Sequence, residues 1–454
     1  MKLLKALAGA VVAVVMVCGH VSLGRAQEGS DAERLRQLER EMERMREELD
    51  LLKKEDLTME LSPKFPVKFG AGITIRYDLT DVEDPTDVRL DENRDGLRTR
   101  SRFSAIFEPD GPVNAGLRIS TGENPNPTSP FIRLGDLFRS KSFNLDQFYI
   151  IVRPIQFFDA RPRSEFPIDL ALQIGKIPQP FWRATRGTWN SEIIWDDDVS
   201  PEGVAIKLTA PKLLPFLQLE ATGGYFILEE ADNFRFAGLT GDTYLVAGQL
   251  KAEVAPVALA FTFYNYDRLN AGLRAPSFDP TTGAFLAPGQ TAFLLRDGLQ
   301  RTNNQITFGP GALGFVDDTF QIINLTGLVA LPLPVPILSS EVFLAGDYVK
   351  NLSVEENDQG WSITAGLRGG GGEGSILNPF TLWFTYRDVD ADATLATFAD
   401  SDLGGGTDYR GFEVGANYRL HKHLLLQISG FAYNGSPNKG NHWTRVFFDV
   451  VATF

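Results

Sequence analysis

Cysteine and histidine are nearly absent from this chain: one cysteine, Cys18, and four histidines in 454 residues. Cys18 falls in an N-terminal segment that reads as a cleaved leader, so neither disulfides nor a thiolate metal site are expected in the mature chain. With so few histidines a Ser–His nucleophilic pair has little material, and no enzyme is expected. Long apolar runs are missing too. Past the leader, no segment offers the roughly 18 uninterrupted apolar residues of a spanning helix. The nearest, "LVALPLPVPIL" (Leu328 to Leu338), is broken by three prolines and reads as two strand ends about a turn. Positive charge is in deficit, 44 Lys and Arg against 58 Asp and Glu, which leaves no basic face for nucleic acid.

What is present begins with "MKLLKALAGAVVAVVMVCGHVSLGRAQ". Lys2 and Lys5 precede an apolar run from Ala6 to Val17, and Gly24 and Ala26 are the small residues of a cleavage site. Residues 1–26 therefore read as a secretory signal peptide. From Asp31 to Lys54 the chain is almost entirely charged, except for Leu35, Leu38, Met42, Met45, Leu49 and Leu52. Their 3-4-3-4-3 spacing is that of heptad a and d positions, and it predicts a short coiled coil within residues 27–60 that associates with copies of itself. A single solvated helix is the alternative. "LSPKFP" ends the helical pattern.

From residue 66 to 454 the sequence alternates. Val67, Phe69, Ala71, Ile73, Ile75 and Tyr77 oppose Lys68, Thr74, Arg76 and Asp78, and similar alternation recurs to the terminal "VFFDVVATF". About 16 such segments are counted, each long enough to cross a bilayer when tilted. Their connections alternate between long (79–96, 122–141, 178–202, 229–242, 268–318, 388–407) and mostly short. A transmembrane barrel has that asymmetry, and a soluble sandwich has no reason for it. The predicted fold is thus all-β: a 16-stranded antiparallel transmembrane barrel behind a short coiled-coil helix.

In such a barrel the apolar face meets lipid and the polar face lines water. "LRTRSRF" then aims Arg98, Arg100 and Arg102 into the lumen, and Arg118 and Lys176 are assigned to the same wall. The loop at about 178–202 carries Arg183 and Arg186, then Asp196, Asp197 and Asp198, with Glu202 at its end, and three tryptophans. Folded inward, it would set an acidic end opposite a basic wall and create a transverse field that sorts solutes by charge.

"IGKIPQPFW", "IIWDDDVSPEGVAIKL", "LRTRSRF" and the terminal Phe454 resemble the putative porins of Gram-negative outer membranes, and more distantly the phosphate-selective porins. The W-D-x-D-x-x-P-E-G core from Trp195 to Gly203 is the most specific part. The resemblance implies a trimeric outer-membrane channel, its partners lipid and small hydrophilic solutes or ions, with termini and coiled coil in the periplasm and the matching loop at the constriction. The other reading is a structural tether, with the barrel as anchor and the coiled coil reaching toward the cell wall. No cofactor and no protein-bound metal are expected. "DENRDG" (Asp91 to Gly96) imitates half of a calcium loop, yet its twelfth position is Arg102 rather than glutamate, so loop-bound calcium stays only an alternative. His421 and His423, flanking Lys422 in a turn, are a conceivable metal pair.

Overall fold

The computed structural model of the chain describes residues 66–83, 92–109, 111–122, 127–158, 168–214, 217–230, 242–271, 273, 277–278, 285–287, 292, 302–307, 312–333, 340–371, 378–435 and 440–454. The predicted leader and the heptad segment lie outside the described residues.

Sixteen long strands follow one another: β1 (Val67–Glu83), β2 (Glu92–Phe107), β3 (Val113–Thr121), β4 (Phe143–Val152), β5 (Asp169–Lys176), β6 (Glu202–Leu214), β7 (Leu217–Glu229) and β8 (Thr243–Val254) form the first half. The second half is β9 (Val257–Asp267), β10 (Thr319–Pro332), β11 (Glu341–Asn351), β12 (Gln359–Gly369), β13 (Phe380–Val389), β14 (Tyr409–His421), β15 (Leu424–Gly435) and β16 (Asn441–Thr453). Each pairs antiparallel with its sequence neighbour, and β16 returns to pair with β1 from Gly72↔Thr453 to Glu83↔His442. The sheet is a closed barrel with no free edge. A two-residue strand, Ile132–Arg133, adds to β2 inside the second long loop. Among the described residues no helix is long and apolar enough to cross a membrane.

The period-two pattern does the work expected of it. On β1, Phe69, Ile73, Ile75, Tyr77 and Leu79 are exposed outward, while Thr74, Asp78 and Thr80 are buried inward. Exposed Leu, Ile, Val and Phe side chains recur on the outer face all round the barrel, the distribution that hydrocarbon requires.

Two expectations need correction. Residues 79–96 do not form one long loop: β1 and β2 stay paired up to Val82↔Glu92. Apolar alternation fades there because the outer face has become polar, but backbone pairing continues without it. "DENRDG" is therefore strand from Glu92 onward rather than a calcium loop. Nor is the lumen polar throughout. Phe226, Leu245, Tyr264, Tyr266, Phe320, Ile322, Val349 and Val389 point inward and are buried with loop residues in one cluster. On that side both faces of the wall are apolar, because the inner face receives folded loops.

Candidate functional site

The strands place the long connections at one mouth, and L3 (177–201), L7 (390–408) and the described residues of L5, the connection 268–318, enter the lumen. L3 is closed at its base by Ile177 N–H donating to the Pro201 carbonyl at 2.8 Å. Pro178 and Pro180 cannot extend a ladder, so the chain leaves the wall there. It crosses past β8, where Gln249 receives the Trp182 N–H (2.6 Å) and donates to its carbonyl (2.8 Å). A small hairpin, Thr185–Arg186 against Trp189–Asn190, forms the tip. Gly187 turns it with φ +63°, and a Cβ there would stand 2.1 Å from Thr381 Oγ1. Glycine is needed on both counts. Trp189 donates to Thr385 (3.2 Å), and Asn417 donates to Thr188 (2.5 Å), so the tip rests on β13 and β14.

The return limb is the W-D-D-D segment. Trp195 sits 5.7 Å from Phe181, 6.1 Å from Phe226 and 6.0 Å from Tyr264, ring to ring, and donates to Tyr266 Oη at 2.9 Å. Asp196 then accepts from Ser401 N and Oγ (3.1 and 3.0 Å) in L7, and its own N–H donates to the Phe398 carbonyl (2.7 Å). L7 is itself buried from Ala391 to Leu403 almost without interruption. L5 locks onto it: Asn303 donates to the carbonyls of Ala391 and Thr394, both at 2.7 Å, and Asn304 donates to Asp392 through N–H (3.0 Å) and side chain (2.8 Å).

These loops pack against the β7–β11 side and leave the opposite side open. Between L3 and the wall of β1, β2 and β13–β16 remains a cavity of about 340 Å³, lined on the wall by Arg76, Arg100, Arg387, Glu413 and Asp449 and on the loops by Glu192, Asp196, Asp197, Asp198, Asp400 and Asp402. Arg76 binds Asp449 with two donors (2.9 and 3.0 Å) and Asp402 at 3.2 Å. Arg387 is held by Asp400, with Glu413 at 4.0 Å.

The residues singled out from the sequence distribute as follows. Arg98, Arg100, Arg102 and Arg118 all line the inner wall, each in an ion pair. Arg98 meets Asp78 (2.8 Å), Arg100 and Arg102 both meet Asp198 (3.1 and 2.6 Å), and Arg118 meets Asp146 (2.5 Å). Asp198 therefore touches the arginine row instead of facing it across a gap, as the transverse-field picture required. Arg183 pairs with Asp197 inside L3, and Arg186 reaches Glu341 at 3.4 Å. Lys176 and Glu202 are misassigned to the lumen. They pair at 2.6 Å on the outer face, beside exposed Phe148, Ile174 and Val204, because Lys176 shares the parity of Ile174. The sequence reading missed Arg76, Arg387 and all of L7, which it took only as one of the long connections. The signal was the run of small and apolar residues "ADATLATFADSDL", too apolar for an external loop. His423 Nδ1 lies 2.6 Å from the Thr453 carbonyl and its ring stacks on Phe454, which commits it to the barrel seam.

Burial pushes the carboxyls of Glu192 and Asp196 well above the ordinary range, and neighbouring carboxylates add to it; Asp400 is raised as well, with Arg387 opposing. Asp198 goes the other way: burial alone would raise it, but Arg100 and Arg102 together hold it below the usual value. Oxygens of Glu192, Asp196 and Asp400 lie within 4.8 Å of one another and are the described carboxylates that could share a metal ion. Asp196 and Asp400 already have Ser401 and Arg387 as partners, which weakens them as ligands.

Asp392 is pushed up to about 6 by burial, against the opposing hydrogen bonds from Asn304 and Asn303. A carboxyl raised in the folded state adds stability that is complete below its unfolded value near 4 and is lost as pH rises through about 6. The L5–L7 junction should thus loosen by roughly 2–3 kcal/mol between pH 4 and 7. In Asp392→Asn, the difference in protease sensitivity of L7 between pH 5 and pH 8 should shrink, whereas the parent chain is cut markedly faster at pH 8.

A closed 16-stranded barrel with a greasy outside and an inward loop beside a charged cavity has the architecture of the porin class. Residues 36–432 match the model of the family described as "Putative porin". The chain belongs to that family and is an outer-membrane porin channel. Among solved structures it is similar to OprB of Pseudomonas putida, with 11% identity, 87% of this chain and 96% of that one covered, and a TM-score of 0.51, a likeness of fold. It also aligns with OmpF of Salmonella typhi at 9% identity, covering 86% and 98% of the two chains with a TM-score of 0.47. No curated protein matches the chain.

Proposed function

We propose that the protein is a homotrimer of the outer membrane through which small hydrophilic solutes or ions diffuse passively, with the chain termini and the coiled coil in the periplasm. The observation that carries this is the charged cavity left between L3 and the β1–β2 and β13–β16 wall, inside a barrel whose outer face is apolar. L3 sets the width of the passage; Arg100, Asp196, Asp197 and Asp198 belong to its charged lining, and Arg98, Arg102, Arg118, Arg183 and Arg186 stand behind it. The coiled coil, through Leu35, Leu38, Met42, Met45, Leu49 and Leu52, assists assembly of the trimer.

Planar-bilayer recording tests the reading. Ohmic steps closing in triplets are expected. A silent membrane holding correctly inserted protein would mean that the barrel serves as a tether. Deleting Asp31 to Lys54 should reduce the trimer fraction on native gels without lowering β-content, and undiminished trimers would remove the coiled coil from assembly.

A further inference from the structure

The charges around the passage do not balance. Among the described residues three guanidiniums line it, those of Arg76, Arg100 and Arg387, against eight carboxyl groups. All three are held in ion pairs. Arg76 is clamped by Asp449 and Asp402 and lies between the rings of Phe131 and Phe447, at 4.2 and 4.1 Å from their centres, with 11% of its side chain exposed. Arg387 is 2% exposed and held by Asp400. Arg100 lies on Asp198 and over Phe131.

The arginines behind this layer are also committed. Arg102 contacts Asp198 and Asp146, Arg183 holds Asp197, and Arg445 donates to the carbonyls of Ser401 and Asp402 at 3.2 and 2.9 Å. Two of the lining carboxylates keep a side toward water: Asp402 and Asp197 are 38% and 44% exposed.

We propose that the passage selects for cations, and that Asp197 and Asp402 are the residues that set this preference. The inference rests on the reading of the cavity as the conducting path. A narrow aqueous path between low-dielectric walls focuses the field of its fixed charge, so water-facing carboxylates concentrate cations and deplete anions. The arginine row on β2, which by itself suggests the opposite selectivity, contributes rigidity: its guanidiniums fix Asp198, and through it L3, to the wall.

The test is the reversal potential of the full chain in planar bilayers under a KCl gradient. The permeability ratio of potassium to chloride should be of the order of ten in dilute salt. The double substitution Asp197→Asn and Asp402→Asn should bring it near one, while Glu202→Gln, on the outer face, leaves it where it was. A second measurement needs no substitution. Raising KCl from about 0.1 to 1 M shortens the screening length from about 10 to 3 Å and should erode the preference of the parent chain. A parent ratio at or below one, or a preference that survives the double substitution, overturns the proposal. Inserted barrels that pass no current instead overturn the conducting path on which it rests.

Discussion

Trp195→Ala is expected to detach the return limb of L3 and widen the passage, raising single-channel conductance. Trp195 is the centre of the packed half of the lumen: its ring meets Phe181, Phe226 and Tyr264, and its Nε1 donates to Tyr266. Truncating a buried tryptophan costs about 3–5 kcal/mol through lost transfer energy and the cavity left behind. The Tyr266 hydroxyl, fully buried, would also lose its donor, adding a desolvation penalty of about 1–3 kcal/mol. The barrel wall does not depend on this contact, because its strands are paired through the backbone all the way round. The loss should therefore appear as a mobile L3, cut by protease between residues 183 and 198, while heat-modifiable mobility on gels is preserved. Trp195→Phe retains most of the ring packing and should show a much smaller change. If Trp195→Ala left conductance and protease resistance unaltered, the ion pairs of Asp198 and not the aromatic cluster would be what holds L3 in place.

The sequence makes the outside of this barrel legible and its inside only partly so. Alternation on β1 assigns the outward residues from Phe69 to Tyr77 correctly, because lipid demands an unbroken apolar face and a strand can satisfy it only at period two. The inward set has no such uniform partner. Where water fills the lumen the inner face is polar, as at Thr74, Asp78 and Thr80; where loops pack it is apolar, as at Phe226, Leu245 and Ile322. Which loop packs where is a long-range matter that no local period encodes. L3 announces itself by concentrating tryptophan and separated charge, whereas L7 resembles an ordinary acidic loop until its Ala–Thr–Leu run is weighed. Lys176 shows the limit from the other side: a lysine reads as lumenal by type, but strand parity outranks residue type, and near the rim its amine can meet Glu202 on the outer face. The arginine row illustrates a further limit. Its position follows from the pattern, yet its role depends on which carboxylates reach it, and Asp198 lies 98 positions from Arg100.

Arg387→Ala should free L7 from the wall and is the second large effect. Arg387 projects from β13 into the lumen with its side chain 2% exposed, and its partners, Asp400 from L7 and Glu413 from β14, are nearly as buried at 4% and 12%. Glu413 is also fixed by the Trp383 indole N–H at 2.6 Å. Removing one partner of a buried pair costs about 3–5 kcal/mol, since the remaining carboxylates must ionise without compensation or take up protons. Asp400 also caps the turn that follows it, accepting the N–H of Asp402 at 2.7 Å, so its displacement should carry Ser401 and Asp402 away from Asp196 and Arg76. Amide exchange across residues 391–403 should accelerate strongly in Arg387→Ala, with the strands on either side unaffected. The decisive comparison is the combined substitution Arg387→Met, Asp400→Asn and Glu413→Gln, in which the amide at position 400 keeps an acceptor for the Asp402 N–H. If the single variant is unstable because charge is left unpaired, removing the whole set should restore most of the protection. If the combined variant is as labile as the single one, the guanidinium acts by its shape and stem packing, and L7 is seated by the Asn303 and Asn304 hydrogen bonds from L5 rather than by charge.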